Sequence, residues 1–455
     1  MFYSLQTHQV HVQTHSASGR LLLLRSESAR IMDCCAFGAV QGIDRRSTTS
    51  AIRRFECYLS GDTRQWQINS IHLTYVEERR KDRYRRSKCS IYRVKSHIGM
   101  DPPLYWQLAL TVGSKAIVTG GAGFVGSNYS RHLLQAGSKV VVYDDFSRGP
   151  GCLQNLEWLR SDPNSNNLSV VKGNVHDPDS LVAAARGCNL IVHTAAQVSV
   201  PESVSKPRLD FESNALGTFN VLEAARRSDT DPTLLYTSSN KVYGIPEAPL
   251  QEKALRYVFE GLTEGVDETF PVKGEEPYGV SKAAGDLYLH AYSEQYAIKS
   301  VSFRCSCMFG PHQYGKEEQG WVAWFCIAAA LGKPLSIYGD GKQVRDLLYI
   351  DDVVRAFDLA TKNIDRVKGE AINLGGGKEN VASLLETIAY LESLTDRKMH
   401  LTFKDWRPGD NKCYYTNCAK AKELMSWTPT VPWKEGVSKT LDWVKGNVHA
   451  VSAVI

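Results

Sequence analysis

None of the eleven cysteines in this 455-residue sequence form a Cys-x-x-Cys pair. Cys34-Cys35 and Cys305-x-Cys307 also lack the spacing of zinc ligands. A chain of this length buries enough surface to fold without a disulfide scaffold. Reduced, mostly structural thiols in a cytoplasmic protein are therefore expected, with no metal site. The sequence also lacks a run of about eighteen apolar residues, which excludes a membrane-spanning helix. The nearest candidate, Trp321 to Leu331, is too short and reads as a buried helix. Internal repeats and low-complexity tracts are missing too, so a solenoid or a disordered polymer is excluded.

A net positive charge is also lacking over most of the chain. The formal net charge is +5, but residues 1–112 hold 17 Lys and Arg against 9 Asp and Glu, and the remainder holds 37 against 40. The basic excess therefore belongs to the front segment, and nothing in the body points to nucleic acid. The front segment is rich in Arg, Ser and His and short of periodic apolar patterning. It carries the run Arg79-Arg80-Lys81-Asp82-Arg83-Tyr84-Arg85-Arg86. Three readings stay open: an arm for anionic surfaces, an organelle-targeting peptide with Glu27 as the sole acid in residues 1–32, or a translation start at Met100.

From Lys115 onward the pattern turns regular. Ala116–Thr119, Val140–Tyr143, Val170-Val171, Leu190–His193, Leu234–Tyr236 and Val301–Arg304 are short β-branched runs separated by amphipathic stretches. Strands alternating with helices predict βαβ units, hence an α/β fold with a Rossmann-type, doubly wound parallel sheet. After residue 305 the alternation loosens. Strands at 335–338 and 371–374 and helices around 381–394 and 434–446 predict a smaller C-terminal α/β lobe that binds substrate over the carboxyl edge of the sheet. The expected division is 1–112, 113–304 and 305–447.

Gly120-x-x-Gly123-x-x-Gly126 follows the first of these strands and opens a helix. In such a turn the first glycine permits the bend, the second lets the backbone approach a pyrophosphate, and the third allows close helix–strand packing. The helix start at Phe124 and Val125 then offers N–H groups and a positive dipole end to phosphate. Asp144, at the end of the next strand, stands where a carboxylate accepts hydrogen bonds from an adenosine ribose. It would repel a 2′-phosphate, so NAD is expected over NADP, although Arg148 lies nearby. Asn174-Val175 and Ala195-Ala196-Gln197 follow later strands and are expected to border the adenine and ribose.

Downstream, Tyr278 and Lys282 are four residues apart and share one helix face. An ammonium beside a phenol favours the phenolate and is expected to lower the tyrosine pKa from ~10 toward neutrality. Such a tyrosine can exchange a proton with a sugar hydroxyl.

The motifs Gly-Gly-Ala-Gly-Phe-Val-Gly, Asp-Asp-Phe-Ser, His-Thr-Ala-Ala-Gln, Val-Tyr-Gly and Tyr-x-x-x-Lys, in this order, resemble those of the extended short-chain dehydrogenase/reductases, in their NAD-dependent epimerase/dehydratase group. The resemblance covers residues 113–447. It implies Tyr278 as acid/base, Lys282 on the nicotinamide ribose, Ser239 on the reacting hydroxyl, and Asn240, Arg345, Arg407 and Asp410 on a nucleotide-sugar substrate. The stretches Ser239–Gly244, Asp210–Thr218, Gln319–Phe325, Gly341–Asp346 and Asp405–Asp410 favour a CDP-sugar epimerase within the group. A UDP-sugar 4-epimerase, a nucleotide-sugar 4,6-dehydratase and a non-catalytic NAD-binding protein stay open beside it. Dehydratases of the group place acids directly after the active-site hydroxyl residue, whereas here Asn240-Lys241 follow Ser239. Departures from the relatives fall at Pro201-Glu202, Glu276 and Cys305. Relatives pair through two helices, which implies a homo-oligomer formed through residues near 206–228 and 279–297.

Overall fold

Ala116, Ile117 and Val118 are each fully buried. Ala116 and Val118 face one hydrophobic cluster and Ile117 the other, because successive strand side chains point to opposite faces and both faces are covered. The computed structural model describes residues 114–407 and 409–455, together with the backbone of short strands at 11–12, 24–25, 51–57, 71–77 and 88–94. The chain forms two compact units, Met1–Ala109 and Leu110–Ile455.

In the first unit Ala51–Cys57, Ile71–Glu77 and Lys88–Val94 pair as an antiparallel sheet. No regular pattern is predicted there, yet Ile71, Leu73 and Tyr75 do alternate with His72 and Thr74. A two-residue period this short is easily lost among Arg and Ser. The basic run 79–86 and Cys34-Cys35 lie outside the described residues.

The second unit is built on a seven-stranded sheet. Its strands are β1 (Lys115–Thr119), β2 (Lys139–Asp144), β3 (Leu168–Lys172), β4 (Leu190–His193), β5 (Thr233–Ser239), β6 (Ser300–Cys305) and β7 (Ala371–Leu374), in the order β7-β6-β5-β4-β1-β2-β3. All pairings are parallel. The chain runs outward from β1 to β3 and then returns to place β4 on the other side of β1. That reversal opens a crevice at the carboxyl ends of β1 and β4, where ligands bind in such sheets. β5 and β6 are buried along their whole length, whereas the edge strand β3 is half exposed.

β7 corrects the expected placement of 371–374 in the smaller lobe. β6 would otherwise present an open row of N–H and C=O groups, and Ala371–Leu374 satisfies it in register with Ser302–Cys305. The preceding helix Ile350–Lys362 returns to the sheet as well: Phe357 stacks on Phe303 at 5.3 Å between centroids, and Asp358 accepts from Tyr129 Oη at 3.2 Å. The smaller lobe consists of Cys307–Phe309, Val344–Tyr349 and Val381–Ser383 in one sheet, Leu335–Tyr338 paired with Leu401–Lys404, and helices Trp321–Leu331, Leu384–Thr395 and Trp433–Gly446. The helix expected from 381 begins at 384, because Ser383 and Glu386 form a reciprocal capping box at 3.1 and 2.9 Å.

Three helices position the site. α1 (Phe124–Gln135) follows the glycine turn, α2 (Gly217–Arg226) follows β4, and α3 (Pro277–Tyr296) carries the Tyr/Lys pair. The single helix expected at 206–228 is interrupted by a π-helical stretch, Phe211–Leu216, ahead of α2. Among the described residues no helix is long and apolar enough to cross a membrane, and the seven described cysteines are unbridged.

Candidate active site

The glycine turn lies against the end of β4. Gly120 has φ +67°, and a Cβ there would fall 2.6 Å from Ala195 N; a Cβ at Gly126 would fall 2.2 Å from Gly120 O. Both positions therefore require glycine. A Cβ at Gly123 would meet only Gly120 O, at 3.1 Å, so this face of the turn is open to an approaching group. α1 starts there with no side-chain cap, leaving the amides of its first turn for an anion. These features fit a dinucleotide pyrophosphate.

Asp144 is buried, and its carboxylate accepts from Ala122 N at 3.0 Å and Phe146 N at 2.8 Å. Burial raises its pKa, and the two backbone hydrogen bonds oppose that rise. It therefore braces the glycine turn. Asn174 donates to Asp145 at 2.8 Å, and Val175 packs where a Cβ on Gly217 would collide with it. The Gln197 side chain is taken up by Ser199, donating to its O at 2.7 Å and accepting from its N at 2.8 Å. Of the Ala195-Ala196-Gln197 segment, then, the backbone at Ala195 lies against the turn while the Gln197 side chain is engaged locally.

Ser239 ends β5 and is register partner to Cys305 at the end of β6. Its Oγ accepts from Lys241 N at 3.2 Å and faces Asn240 Oδ1 at 3.4 Å. Tyr278 and Lys282 lie in the first half of α3, both buried. The structure corrects the expected coupling between them. Lys282 Nζ donates to Thr237 O at 2.8 Å and lies 4.9 Å from the centroid of the Tyr236 ring, so it engages β5 instead of the Tyr278 phenol. Burial pushes the Tyr278 pKa up to about 12, opposed by Ser239 and by the Arg148 cation and reinforced by Asp210. Burial likewise pulls Lys282 down to about 8, against the attraction of Asp286, Cys305 and Asp210. Sharing a helix face brought the two residues near one another, but desolvation outweighs their mutual effect.

The sequence assigned no contact to several side chains around this centre. Asp210 accepts from Asn214 Nδ2 at 2.9 Å, and Asn214 also bridges Gln197 N and O at 3.0 Å each. Their i, i+4 spacing was visible, but the π-helical stretch that turns them inward was not. Asp286 forms a buried pair with Arg304 at 2.8 Å. Lys241 bonds Glu276 at 3.1 Å across 35 residues of sequence. Arg148 reaches Gln319.

Of the residues expected on substrate, Arg345, Arg407 and Asp410 lie in the smaller lobe, whereas Asn240 directly follows β5. Arg345 donates to Asp410 at 2.7 Å, to Asn411 O at 2.6 Å and to Val344 O at 2.8 Å. Arg407 stacks on Tyr338 at 3.7 Å from the ring centroid and donates to Glu317 O at 3.4 Å. Each guanidinium is thus held in a fixed orientation by protein groups. Pro201 lies in the first turn of the helix Val200–Ser205, and Glu202 pairs with Lys206 at 2.9 Å.

A dinucleotide turn at the switch point, with a buried Ser–Tyr–Lys set at the same sheet edge, defines a nicotinamide-dependent enzyme of the short-chain dehydrogenase/reductase kind. The chain belongs to the NAD dependent epimerase/dehydratase family, whose model matches residues 116–375, and NAD is its cofactor. It is 35% identical to CDP-paratose 2-epimerase of Salmonella typhi over 72% of this chain and 98% of that protein. It is 31% identical to dTDP-glucose 4,6-dehydratase of Neisseria gonorrhoeae over 74% of this chain and 97% of that one. Among solved structures it is similar to UDP-glucuronic acid 4-epimerase of Bacillus cereus in complex with UDP-glucuronic acid and NAD. That match has 28% identity and a TM-score of 0.63, over 73% of this chain and 99% of the other.

Proposed function

We propose that the protein is a nucleotide-sugar 2-epimerase converting CDP-paratose to CDP-tyvelose. The observation that carries this reading is the pair that follows Ser239. Asn240 is an amide and Lys241 a cation committed to Glu276, so neither residue after Ser239 supplies the acid that drives loss of water. The likeness to a CDP-paratose 2-epimerase over nearly its whole length supports the choice of sugar and base.

The Gly120–Gly126 turn and the first turn of α1 would hold the pyrophosphate of NAD, with Asp144, Asn174, Val175, Ala195, Ala196 and Gln197 around the adenosine end. NAD, when bound, supplies the hydride acceptor and donor. Ser239 orients the sugar hydroxyl, and Tyr278 takes its proton and later returns it; the hydride lost by the same carbon is given back to its opposite face, so the interconversion is redox-neutral. Burial pushes the Tyr278 pKa up to about 12, and the Ser239 hydrogen bond and the Arg148 cation act against that rise. Lys282 fixes the end of β5 and would bridge the nicotinamide ribose. Arg345, Arg407, Asp410 and Asn240 would hold the nucleotide sugar, the two guanidinium forks suiting a diphosphate.

The test is proton NMR of CDP-paratose, UDP-glucose and dTDP-glucose, each incubated with purified protein. A second CDP-hexose isomer is expected from the first alone. Loss of water from dTDP-glucose, or a new isomer only from UDP-glucose, would overturn the reading. Asp144→Ala should relax cofactor choice: the ratio of turnover with NADP to that with NAD is expected to rise, and an unchanged ratio would place the discriminating carboxylate elsewhere. Pairing of two copies through residues near 206–228 and 279–297 is supported by the exposed apolar side chains Leu209, Phe211, Val280 and Leu287.

A further inference from the structure

Glu276 occupies the position just before α3, two residues ahead of Tyr278, and only 7% of it is exposed. One of its carboxylate oxygens accepts from Lys241 Nζ at 3.1 Å, and the other is buried without a hydrogen-bond partner. Lys241 also donates to Gly409 O at 3.3 Å. A buried carboxylate with a single cationic partner is costly to lose on either side, so this arrangement demands a purpose that a solvated pair would not.

Its connections supply one. Lys241 is tied by its backbone N–H to Ser239 Oγ at 3.2 Å. Glu276 leads directly into the turn of α3 that carries Tyr278. Gly409 adjoins Asp410, which grips Arg345 at 2.7 Å. Gly409 has φ +74°, and a Cβ there would fall 2.7 Å from Glu276 Oε1, so the loop lies in close contact with the carboxylate. We infer that the Lys241–Glu276 pair is a clasp holding the substrate-lobe residues 409–411 against both catalytic segments. It thereby sets affinity for the nucleotide moiety and leaves the chemical step to Ser239 and Tyr278. Both residues are positioning residues in this scheme, and its substrate side rests on the function proposed above. The loop is anchored a second time where Asn411 donates to Gly244 O at 3.2 Å, so loosening the clasp should free the loop without unfolding it.

The experiment compares the full-length wild type with E276Q, K241M, K241R and the E276Q/K241M double variant. Amide hydrogen exchange over residues 409–411 should accelerate in E276Q and K241M and return toward wild type in K241R, which keeps a cation. The Kd for CDP and the KM for CDP-paratose should both rise about tenfold or more in E276Q, the scale of one lost charge-assisted hydrogen bond. NAD content should stay at the wild-type level and kcat should fall less than about threefold, since neither residue reaches the reacting atoms. Should K241M fail to fold because it strands the buried carboxylate, the double variant removes that charge and carries the comparison with E276Q. Unchanged exchange at 409–411, or a fall in kcat with KM and Kd unmoved, would overturn the clasp. A wild type that turns over no CDP-sugar while E276Q still loosens the loop would sink the proposed function and leave the clasp standing.

Discussion

Tyr278→Phe is expected to lower turnover by about 10²–10⁴-fold, the share that a positioned acid/base contributes, while bound NAD is retained. The phenol is buried at the carboxyl edge of the sheet beside Ser239, and Phe preserves the ring's packing while removing the exchangeable proton. The pH profile adds a second measure. Burial raises the Tyr278 pKa to about 12, with Arg148 opposing. Arg148→Gln should therefore move the titration of the tyrosine further upward and shift the ascending limb of kcat, where the phenolate forms, toward higher pH. Turnover by the Phe variant within a few fold of wild type would remove Tyr278 from the acid/base role.

Lys282→Met is the second large effect, and its two readouts should move in opposite directions. Lys282 is buried, and its pKa falls from 10.5 to about 8, so keeping it charged costs the folded protein on the order of 3 kcal/mol. Between about pH 8 and pH 10.5 the unfolded chain binds a proton that the folded one lacks, so stability rises with pH across that window. Below pH 8 the whole penalty is present. Replacement by Met removes the penalty and gives up the hydrogen bond to Thr237 O, worth about 1 kcal/mol. The variant should therefore be about 1–2 kcal/mol more stable than wild type at pH 7 and lose that advantage by pH 10, while its turnover collapses. Urea unfolding of both proteins at pH 7 and pH 10 measures the difference. A variant less stable at pH 7 with the same dependence on pH would show that the ammonium is not held at a cost.

Local pattern carried the cofactor half of the site. Gly120, Gly123, Gly126 and Asp144 follow from backbone needs that act within one strand–turn–helix unit, and the turn has the same shape wherever that unit forms. The strands at 190–193, 335–338 and 371–374 and the helix at 321–331 were legible for a similar reason, since each is a short apolar run bounded by residues that break it. The substrate half was less legible because its contacts join residues far apart in sequence. Arg345 and Asp410 stood out as charged residues in family motifs, but nothing in either stretch shows that each holds the other.

Periodicity also placed 371–374 in a strand without naming the sheet it joins. That choice belongs to the open edge of β6, which only the assembled sheet presents. The sequence alone determined the fold class, the dinucleotide turn, and the presence of Ser239, Tyr278 and Lys282, because short-range backbone geometry and side-chain chemistry suffice for these. Tertiary structure decided the charge state around the site. Four-residue spacing promised a lowered tyrosine, but burial depth sets the desolvation of each group, and burial is a property of the whole packed unit. It raised Tyr278, lowered Lys282, and brought Glu276 to Lys241 across 35 residues of chain.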